Sequence, residues 1–413
     1  MTVHPGMRFS VDPWDPSYGV SLDATEGQST QDVDADVEVP VARWAPVDPV
    51  RAEVPPAVLF VDGVRRVDAQ AWIHEADGPD AEPALYASYA AGVICCCARD
   101  GAHLAAHRVE RRLVTTADHA LDVATGAGTY VADVVRGVKP NQPPGQALSQ
   151  RVQGLLHEVE VIVAGQARER LTVDDDLLVV DGPLRGCDRL PRAVGYIKTH
   201  HTPYLRDKGD AHAVVAALGR GQRTPLFTLT SSGGKSGYSR YTWYLRLPCP
   251  PGAPWAGVVR LECSAELDVA AAVALAGRTQ VTLARYASAG YKDSRAPQNL
   301  YPIAGLERAL RRRLGDAGVL YRALRAAAGR AVDAAAGRPV DAAAGRPVDA
   351  AAGRPVDAAA GRPVDAAAGR PVGAMARTVD PVGRGADVPN GALDAVDVPN
   401  AAFAPAAPRA RAS

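Results

Sequence analysis

The sequence shows no excess of charge of either sign and no long apolar run. Lysine and arginine together number 46, aspartate and glutamate also number 46, and the formal net charge is zero. The total charge therefore neither requires nor excludes a polyanionic partner, and a nucleic-acid surface would have to be a local basic patch. Because no apolar run reaches the roughly 18 residues of a membrane-spanning helix, we expect no membrane partner.

Signals of export and of an oxidising compartment are also lacking. The N-terminal stretch MTVHPGMRFSVDPWDP has no apolar core of a signal peptide. No CxxC pair occurs, and three of the six cysteines are adjacent, at Cys95, Cys96 and Cys97. Since neighbouring residues of a strand point to opposite faces, this triplet is poor geometry for one zinc site or for disulfides. The pattern predicts small apolar residues in a buried strand of a reduced, cytoplasmic protein.

Three parts of the chain differ in composition. Residues 1–50 are rich in Asp, Pro, Ser and Gly, which predicts an irregular N-terminal segment. Residues 51–325 carry the periodic apolar patterns of a folded domain. Residues 326–413 begin with AAAGR repeated every eight residues, mostly as PVDAAAGR, and predict a disordered low-complexity tail. We expect that a chain without residues 331–413 keeps its activity.

Within the folded part, the patterns predict an α/β protein whose mixed sheet is flanked by helices. An apolar strand at 58–61 is followed by strand-like runs at 85–99 and 103–114, which Asp100-Gly101 joins as a hairpin. Residues 146–170 have helical spacing of apolar residues, and a strand at 177–180 follows. Further strands are predicted within 194–205, 225–230, 241–248 and 257–263, and further helices within 210–219, 266–276 and 303–325.

Two of these strands end in the same way. The stretch VLFVDG places Asp62 after one apolar run, and LLVVDG places Asp181 after another. If the two strands are neighbours, both carboxylates emerge at one edge of the sheet, and the preceding helix adds Glu160 or Glu158. Converging carboxylates repel one another unless a cation neutralises them, and Mg²⁺ or Mn²⁺ prefers such oxygen ligands. The pattern is typical of RNase H-like nucleases, in which metal ions activate the attacking water.

The same residues also have a purely structural interpretation. Asp-Gly after a strand is a common turn, and a single instance is more often structural than catalytic. Glu158 and Glu160 taken singly fit a solvated helix face. The chain lacks GxSxG, HExxH and Rossmann motifs, so the sequence offers no competing catalytic arrangement.

A series of motifs in fixed order resembles one known family. The motifs are FVDG, YAAGVICCCARDG, a helix with glutamate, LLVVDGPL, GYIKTHH, RYTWYLRL and APQNLYPIAGLERALRRRLGD. Together they resemble the NurA family of DNA-end-processing nucleases over roughly residues 55–325. The resemblance implies an RNase H-like fold and Mn²⁺-dependent cleavage of single-stranded DNA and duplex ends. It also implies a homodimer that works with a hexameric ATPase of the HerA type.

The resemblance implies a role for individual residues. Asp62 matches the first metal-binding aspartate of the family, and Asp181 matches the aspartate of the second Asp-Gly motif. Glu160 matches the helix glutamate better than Glu158 does, because a small residue follows it four positions on. Lys198 in GYIKTHH matches a lysine after the second strand, where an ammonium group would hold the scissile phosphate.

The sequence departs from the family pattern in its last motif. The family has a histidine there as a further metal ligand, whereas NLYPIAGLE offers Glu307, with Asp293 as a second candidate. The missing histidine leaves two alternatives to a DNA nuclease. One is a degenerate DNA-binding or scaffold subunit of a HerA-type ATPase complex. The other is a nuclease acting on RNA or on an RNA–DNA hybrid, since an acidic site reads phosphates rather than sugars.

Overall fold

The computed structural model describes residues 31–74, 81–200, 202–231, 238–250, 255–293 and 295–335. The predictions for residues 1–30 and for the repeats from residue 336 onward lie outside these ranges. None of the helices in the described part of the chain is long and apolar enough to cross a membrane.

Eleven strands and five α-helices form within the described ranges. The strands are β1 (Gln31–Asp34), β2 (Ala57–His74), β3 (Ala81–Cys97), β4 (Gly101–Thr115), β5 (Val123–Thr125), β6 (Gly128–Val134), β7 (Asp176–Asp181), β8 (Ala193–Ile197), β9 (Phe227–Ser231), β10 (Tyr238–Arg246) and β11 (Val258–Ser264). The helices are α1 (Pro144–Glu169), α2 (Ala211–Ala217), α3 (Val269–Leu283), α4 (Tyr301–Arg313) and α5 (Ala317–Ala335), and Val41–Arg43 forms a short 3-10 helix.

The described strands form one mixed sheet in the order β1-β9-β10-β11-β8-β7-β2-β3-β4-β6-β5. The long hairpin strands β2, β3 and β4 are antiparallel neighbours, as the Asp-Gly turn predicted. Strand β7 lies parallel to β2 on its other side, and β8 lies parallel to β7. The predicted α/β class, with a mixed sheet flanked by helices, is therefore confirmed.

Helices cover both faces of the central strands, and the alternation of side chains along β2 decides which residues face which helix. Val58, Phe60 and Val64 share a core with apolar residues of α3 and α4. Leu59 and Val61 share a second core with α1. The apolar positions of α1 that follow helical spacing are buried except for Ile162, which is 41% exposed.

Three parts of the fold differ from the sequence prediction. The segment predicted to be irregular contains strand β1, whose backbone pairs with β9 and forms one edge of the sheet. The short strands β5 and β6 were not predicted, because their few residues carry too little periodicity to stand out. The helix predicted over 303–325 is two helices, since the chain turns at Gly315, whose φ of +83° favours glycine and ends α4.

The start predicted for the low-complexity tail falls inside a helix. Helix α5 continues to Ala335, so residues 326–335 are helical. The first repeat has Ala331 where the later repeats have proline, and the first of those prolines is Pro339. Alanine favours helix and a single glycine is tolerated, so nothing in this stretch stops the helix as proline would.

Candidate metal centre

The two Asp-Gly aspartates come together because β2 and β7 are parallel neighbours. Val61 pairs with Val180, so Asp62 and Asp181 are the next residues along two adjacent strands. Both aspartates follow the alternation of the face that packs against α3 and α4, since Phe60 and Val179 belong to that core. The sequence prediction that the two carboxylates share one edge is therefore realised in the structure.

Helix α4 adds a third carboxylate on the same face. It packs against β2 and β3 and carries Glu307. Carboxylate oxygens of Asp62, Asp181 and Glu307 all lie within 4.8 Å of one another. Three oxygen donors at this spacing match what a divalent cation such as Mg²⁺ or Mn²⁺ takes from a protein.

Asp62 is the most deeply buried member of this group, at 8% exposure. Its Oδ1 accepts a hydrogen bond from the Gly63 backbone N–H at 2.7 Å, and its Oδ2 is buried without a partner among the described residues. Burial first, and the neighbouring charge of Asp181 second, raise the pKa of the Asp62 carboxyl well above its usual range. A bound cation would supply both the missing partner and the missing charge.

Glu160 does not join the three carboxylates. It lies on α1, which covers the opposite face of the sheet, and its Oε2 is 2.8 Å from Nδ1 of His157. Its Oε1 packs so close to Gly63 that a Cβ at that glycine would lie 2.6 Å away. Glu160 thus approaches the backbone beside Asp62 from the other side of β2.

Glu158 points away from the sheet. Its side chain is 60% exposed and pairs with Arg151, 2.9 Å from Nη1 to Oε1. Of the two glutamates that the sequence left open, Glu160 is therefore the one that faces the sheet. Residues two apart on a helix lie about 200° apart around its axis, so one buried position implies that the other is outside.

Lys198 follows β8 and contacts the carboxylate group directly. Its Nζ donates to Oδ2 of Asp181 at 2.6 Å and to Oδ1 of Asn299 at 3.2 Å. Asn299 in turn donates to Oδ2 of Asp293 at 2.6 Å. Asp293 therefore holds Lys198 in place through Asn299, and the late carboxylate in the group is Glu307.

A second positively charged side chain, that of Arg295, balances the charge of Glu307. The Arg295 guanidinium lies 3.1 Å from Oε2 of Glu307, and the Arg295 backbone N–H donates to Asp293 at 2.8 Å. Two of the three carboxylates thus have a cationic partner, while Asp62 has none in direct contact within the described residues. The carboxylate without such a partner, Asp62, is the most deeply buried of the three.

The turn after Asp181 is held by β8 and β11. Gly182 and Tyr196 exchange two backbone hydrogen bonds, of 2.8 and 3.0 Å. The backbone N–H of Leu184 donates to Oε1 of Glu262 at 2.8 Å, and Arg260 lies 3.1 Å from the other oxygen of Glu262. This turn therefore has several independent anchors, which keep Asp181 at the edge of the sheet.

A cavity of about 430 Å³ opens beside the carboxylates. Asp181 and Glu307 line one part of it, and Lys198, Arg260 and Arg295 bring positive charge to its wall. Tyr204 also lines the cavity, with the Arg260 guanidinium 5.1 Å from its ring centre. Acidic ligands beside basic and aromatic groups are the surroundings that a phosphodiester requires.

Some residues of the site were not singled out in the sequence. His157, Arg295 and Asn299 contact Glu160, Glu307 and Lys198 respectively. Asn299 lies within the APQNLYPIAGLE motif that carried the resemblance, and His157 precedes Glu160 by one helical turn. Those two positions offered a signal, whereas Arg295 was one arginine among many.

The NurA domain model matches residues 138–310, which include Glu160, Asp181, Lys198 and Glu307 and exclude Asp62. No curated protein matches the chain. The NurA family is a nuclease family. By this match, which agrees with the motifs and with the carboxylate group at the sheet edge, the chain contains a NurA domain over residues 138–310.

Proposed function

We propose that the protein is a divalent-metal-dependent DNA nuclease that hydrolyses phosphodiester bonds during DNA-end processing and repair. One observation carries the proposal: Asp62, Asp181 and Glu307 present oxygens within 4.8 Å of one another beside a cavity lined by basic groups. A purely structural role leaves the orphaned Oδ2 of Asp62 unexplained, because buried polar atoms are nearly always paired.

The donor set fits a hard cation, Mn²⁺ or Mg²⁺. Asp62, Asp181 and Glu307 would hold it, and Glu160 would serve a second ion at the other side of β2. The chemistry that such an ion supplies is the activation of water for attack on phosphorus and the stabilisation of the leaving oxygen. The protein would then need no serine, cysteine or histidine nucleophile.

Lys198 is proposed to orient the scissile phosphate. A lysine ammonium has three donors, and two of them contact Asp181 and Asn299. The side chain lines the cavity, so its third proton would be available to a phosphate oxygen that enters there. Arg260 and Arg295 extend the positive wall for the neighbouring phosphates of the strand.

The proposed substrate is single-stranded DNA or a duplex end, because the cavity has an aromatic wall at Tyr204. Base stacking on an aromatic ring needs unpaired bases. We further propose a homodimer that works with a hexameric ATPase of the HerA type, in the reducing cytoplasm that the cysteine pattern predicts. These partners rest on the family resemblance.

A catalytically degenerate scaffold is the second candidate, and one observation favours it. Lys198 and Arg295 already neutralise Asp181 and Glu307, as in an internal ion-pair network that needs no metal. Such a protein would bind DNA and the ATPase without cutting. The last histidine of the family motif is replaced here, which agrees with either candidate.

The deciding experiment is a cleavage assay on linear duplex, single-stranded DNA and RNA of the same sequence. Wild type and Asp181→Asn are compared in Mn²⁺, Mg²⁺ and EDTA, and Glu158→Gln serves as a matched control because its side chain is outside the site. We expect cutting of DNA that needs the metal, is retained by Glu158→Gln and falls about 1000-fold in Asp181→Asn.

Other outcomes would contradict parts of the proposal. A folded wild type that binds DNA but does not cut, even with a HerA-type ATPase added, would identify the scaffold. Preferential cutting of RNA would keep the metal site and replace the substrate. Cutting that persists undiminished in EDTA would exclude the carboxylate group as its cause.

Removal of residues 336–413 should leave the cleavage rate within about twofold of the full chain, since these residues contain none of the proposed ligands. A chain ending at Arg313 is the control. It lacks α5, whose Leu320 and Leu324 are buried, and should lose about 2 kcal/mol or more of unfolding free energy. Cleavage rate and thermal denaturation of both truncations test this. A chain ending at Ala335 that folds normally but no longer cuts DNA would show that residues 336–413 have a function.

A further inference from the structure

The cysteine triplet contributes to a second group of metal-binding atoms. Cys95 and Cys97 are two residues apart on β3 and therefore point to the same face, whereas Cys96 points to the other. His103 on β4 is the register partner of Cys95. The two sulfur atoms and a ring nitrogen of His103 lie within 4.8 Å of one another. The sequence argument against a metal considered adjacent residues only, whereas these three side chains come from alternate positions of β3 and from β4.

His103 provides an independent indication of a ligand. Its Nδ1 is buried and has no hydrogen-bond partner in the described part of the chain. A buried imidazole nitrogen usually finds a donor or acceptor, and here the nearest soft groups are the two thiols. Cys95 is 1% exposed, whereas Cys97 and His103 are partly exposed, so an ion has a path to the group from one side.

The group borders a cavity of about 220 Å³, distinct from the one at the carboxylates. Arg99 and Asp100 of the β3–β4 turn line it, as does the segment 170–173 that follows α1. Asp62 pairs with Gly92, while Cys97 pairs with Ala57 at the start of β2, five residues away. That separation is about 17 Å along the strand, and the thiols lie on the opposite face of the sheet from Asp62.

We infer that Cys95, Cys97 and His103 form a zinc site separate from the carboxylate centre. Two thiolates and one imidazole are the soft and borderline donors that Zn²⁺ prefers, and three protein ligands leave a fourth tetrahedral position open. The cavity offers that position to water or to the nearby Asp100 carboxylate. Zinc displaces the thiol protons on binding, so each ligand enters as thiolate or neutral imidazole.

The role of this ion is structural. It would join β3 to β4 at the end of the long hairpin, next to the turn at residues 98–100. At this end of the hairpin the segment after α1 adds one contact, where Arg170 donates to the Ala105 carbonyl at 2.9 Å. A metal there would add a direct link between the two strands beside the turn.

The test is a binding measurement on the full chain, with no reference to cleavage. Metal-free wild type is titrated with Zn²⁺ and with Co²⁺, whose thiolate charge-transfer absorption reports sulfur ligation and is silent for a carboxylate site. Cys97→Ser and His103→Gln are compared with Cys96→Ser, the neighbouring cysteine that faces the opposite core. We expect one Co²⁺–thiolate site, weakened at least about 100-fold in the first two variants and unchanged in the third.

Two further measurements distinguish this site from the carboxylate centre and a lost site from a misfolded variant. The Asp62→Asn background removes the carboxylate centre, and the thiolate absorption should persist in it. Thermal denaturation with and without Zn²⁺ shows whether each variant is folded, and the metal should stabilise wild type and Cys96→Ser alone. Absence of a thiolate band in folded wild type, equal weakening by Cys96→Ser, or a Cys95–Cys97 disulfide under reducing conditions would each overturn the zinc site. None of these results depends on whether the protein cuts DNA.

Discussion

Asp62→Asn should lower the rate of metal-dependent DNA cleavage by roughly 1000-fold or more. Loss of a ligand that positions a catalytic ion costs several kcal/mol of transition-state stabilisation, and each 1.4 kcal/mol is about tenfold in rate. Asparagine has nearly the same volume, and its oxygen can still accept from the Gly63 N–H. The variant therefore removes the negative charge of Asp62 while keeping the hydrogen bond from the Gly63 N–H.

The same variant should be more stable than wild type when EDTA is present. The pKa of Asp62 is raised in the folded protein by burial and by Asp181, so its favourable contribution is present at low pH and is lost as the pH rises through the folded pKa. At neutral pH the ionised carboxylate destabilises the metal-free fold, and asparagine removes that cost. Thermal denaturation in EDTA across a pH series should show a gain for Asp62→Asn that grows from acid to neutral pH.

Asp176→Asn is the matched control for this effect. Asp176 is as deeply buried, on the neighbouring strand β7, but Arg168 and Arg192 both pair with it, Arg168 at 2.8 Å. Removing one partner of a buried ion pair costs about 3 kcal/mol or more, so this variant should lose stability. Equal losses in both variants would mean that Asp62 is a structural turn residue, and an unchanged cleavage rate in Asp62→Asn would exclude it from the metal centre.

Glu307→Gln should raise the Mn²⁺ concentration needed for half-maximal cleavage by roughly 100-fold. Glu307 lies at the rim of the group, partly exposed and paired with Arg295. Gln keeps one oxygen donor but not the charge, so high Mn²⁺ should restore much of the rate. Asp62→Asn should not recover in this way, because the one oxygen that asparagine keeps already accepts from the Gly63 N–H. A Mn²⁺ titration of cleavage distinguishes the two behaviours.

Asp293→Asn is the comparison that decides which late carboxylate is the ligand. In the structure Asp293 contacts Asn299 and the backbone of Arg295 rather than the carboxylate group. We expect a slower cleavage rate, because Lys198 loses the support that Asp293 gives it through Asn299. The Mn²⁺ concentration needed for cleavage should change little. A Mn²⁺ shift in Asp293→Asn and none in Glu307→Gln would reverse the assignment.

The elements with strong local patterns were predictable from the chain. The apolar runs before Asp62 and Asp181, the Asp100-Gly101 turn and the helical spacing over 146–170 each depend on neighbouring residues alone. The short strands β5 and β6 depend on pairing with each other and with β4. The continuation of α5 past residue 326 depends on the absence of a single proline. Local sequence patterns carry little information about strand pairing or about one missing proline.

The sequence by itself determined that two aspartates end two apolar strands, that a helix glutamate lies between them and that a lysine follows the second. Only the tertiary structure decided which of these side chains meet. Asp62 and Asp181 share a face because β2 and β7 are parallel and in register, and α4 brings Glu307 onto that face. Glu160 is held on the other face with α1, beyond the backbone of Gly63.

The cysteine triplet shows the same division. Its composition was plain in the sequence, and alternation along a strand correctly separates Cys96 from its neighbours. That His103 lies opposite Cys95 follows from the register of β3 and β4, which includes a shift at Ile94. One residue of slip would turn the histidine to the other face, and a register of this kind is set by the packing of the whole hairpin rather than by the few residues that form the site.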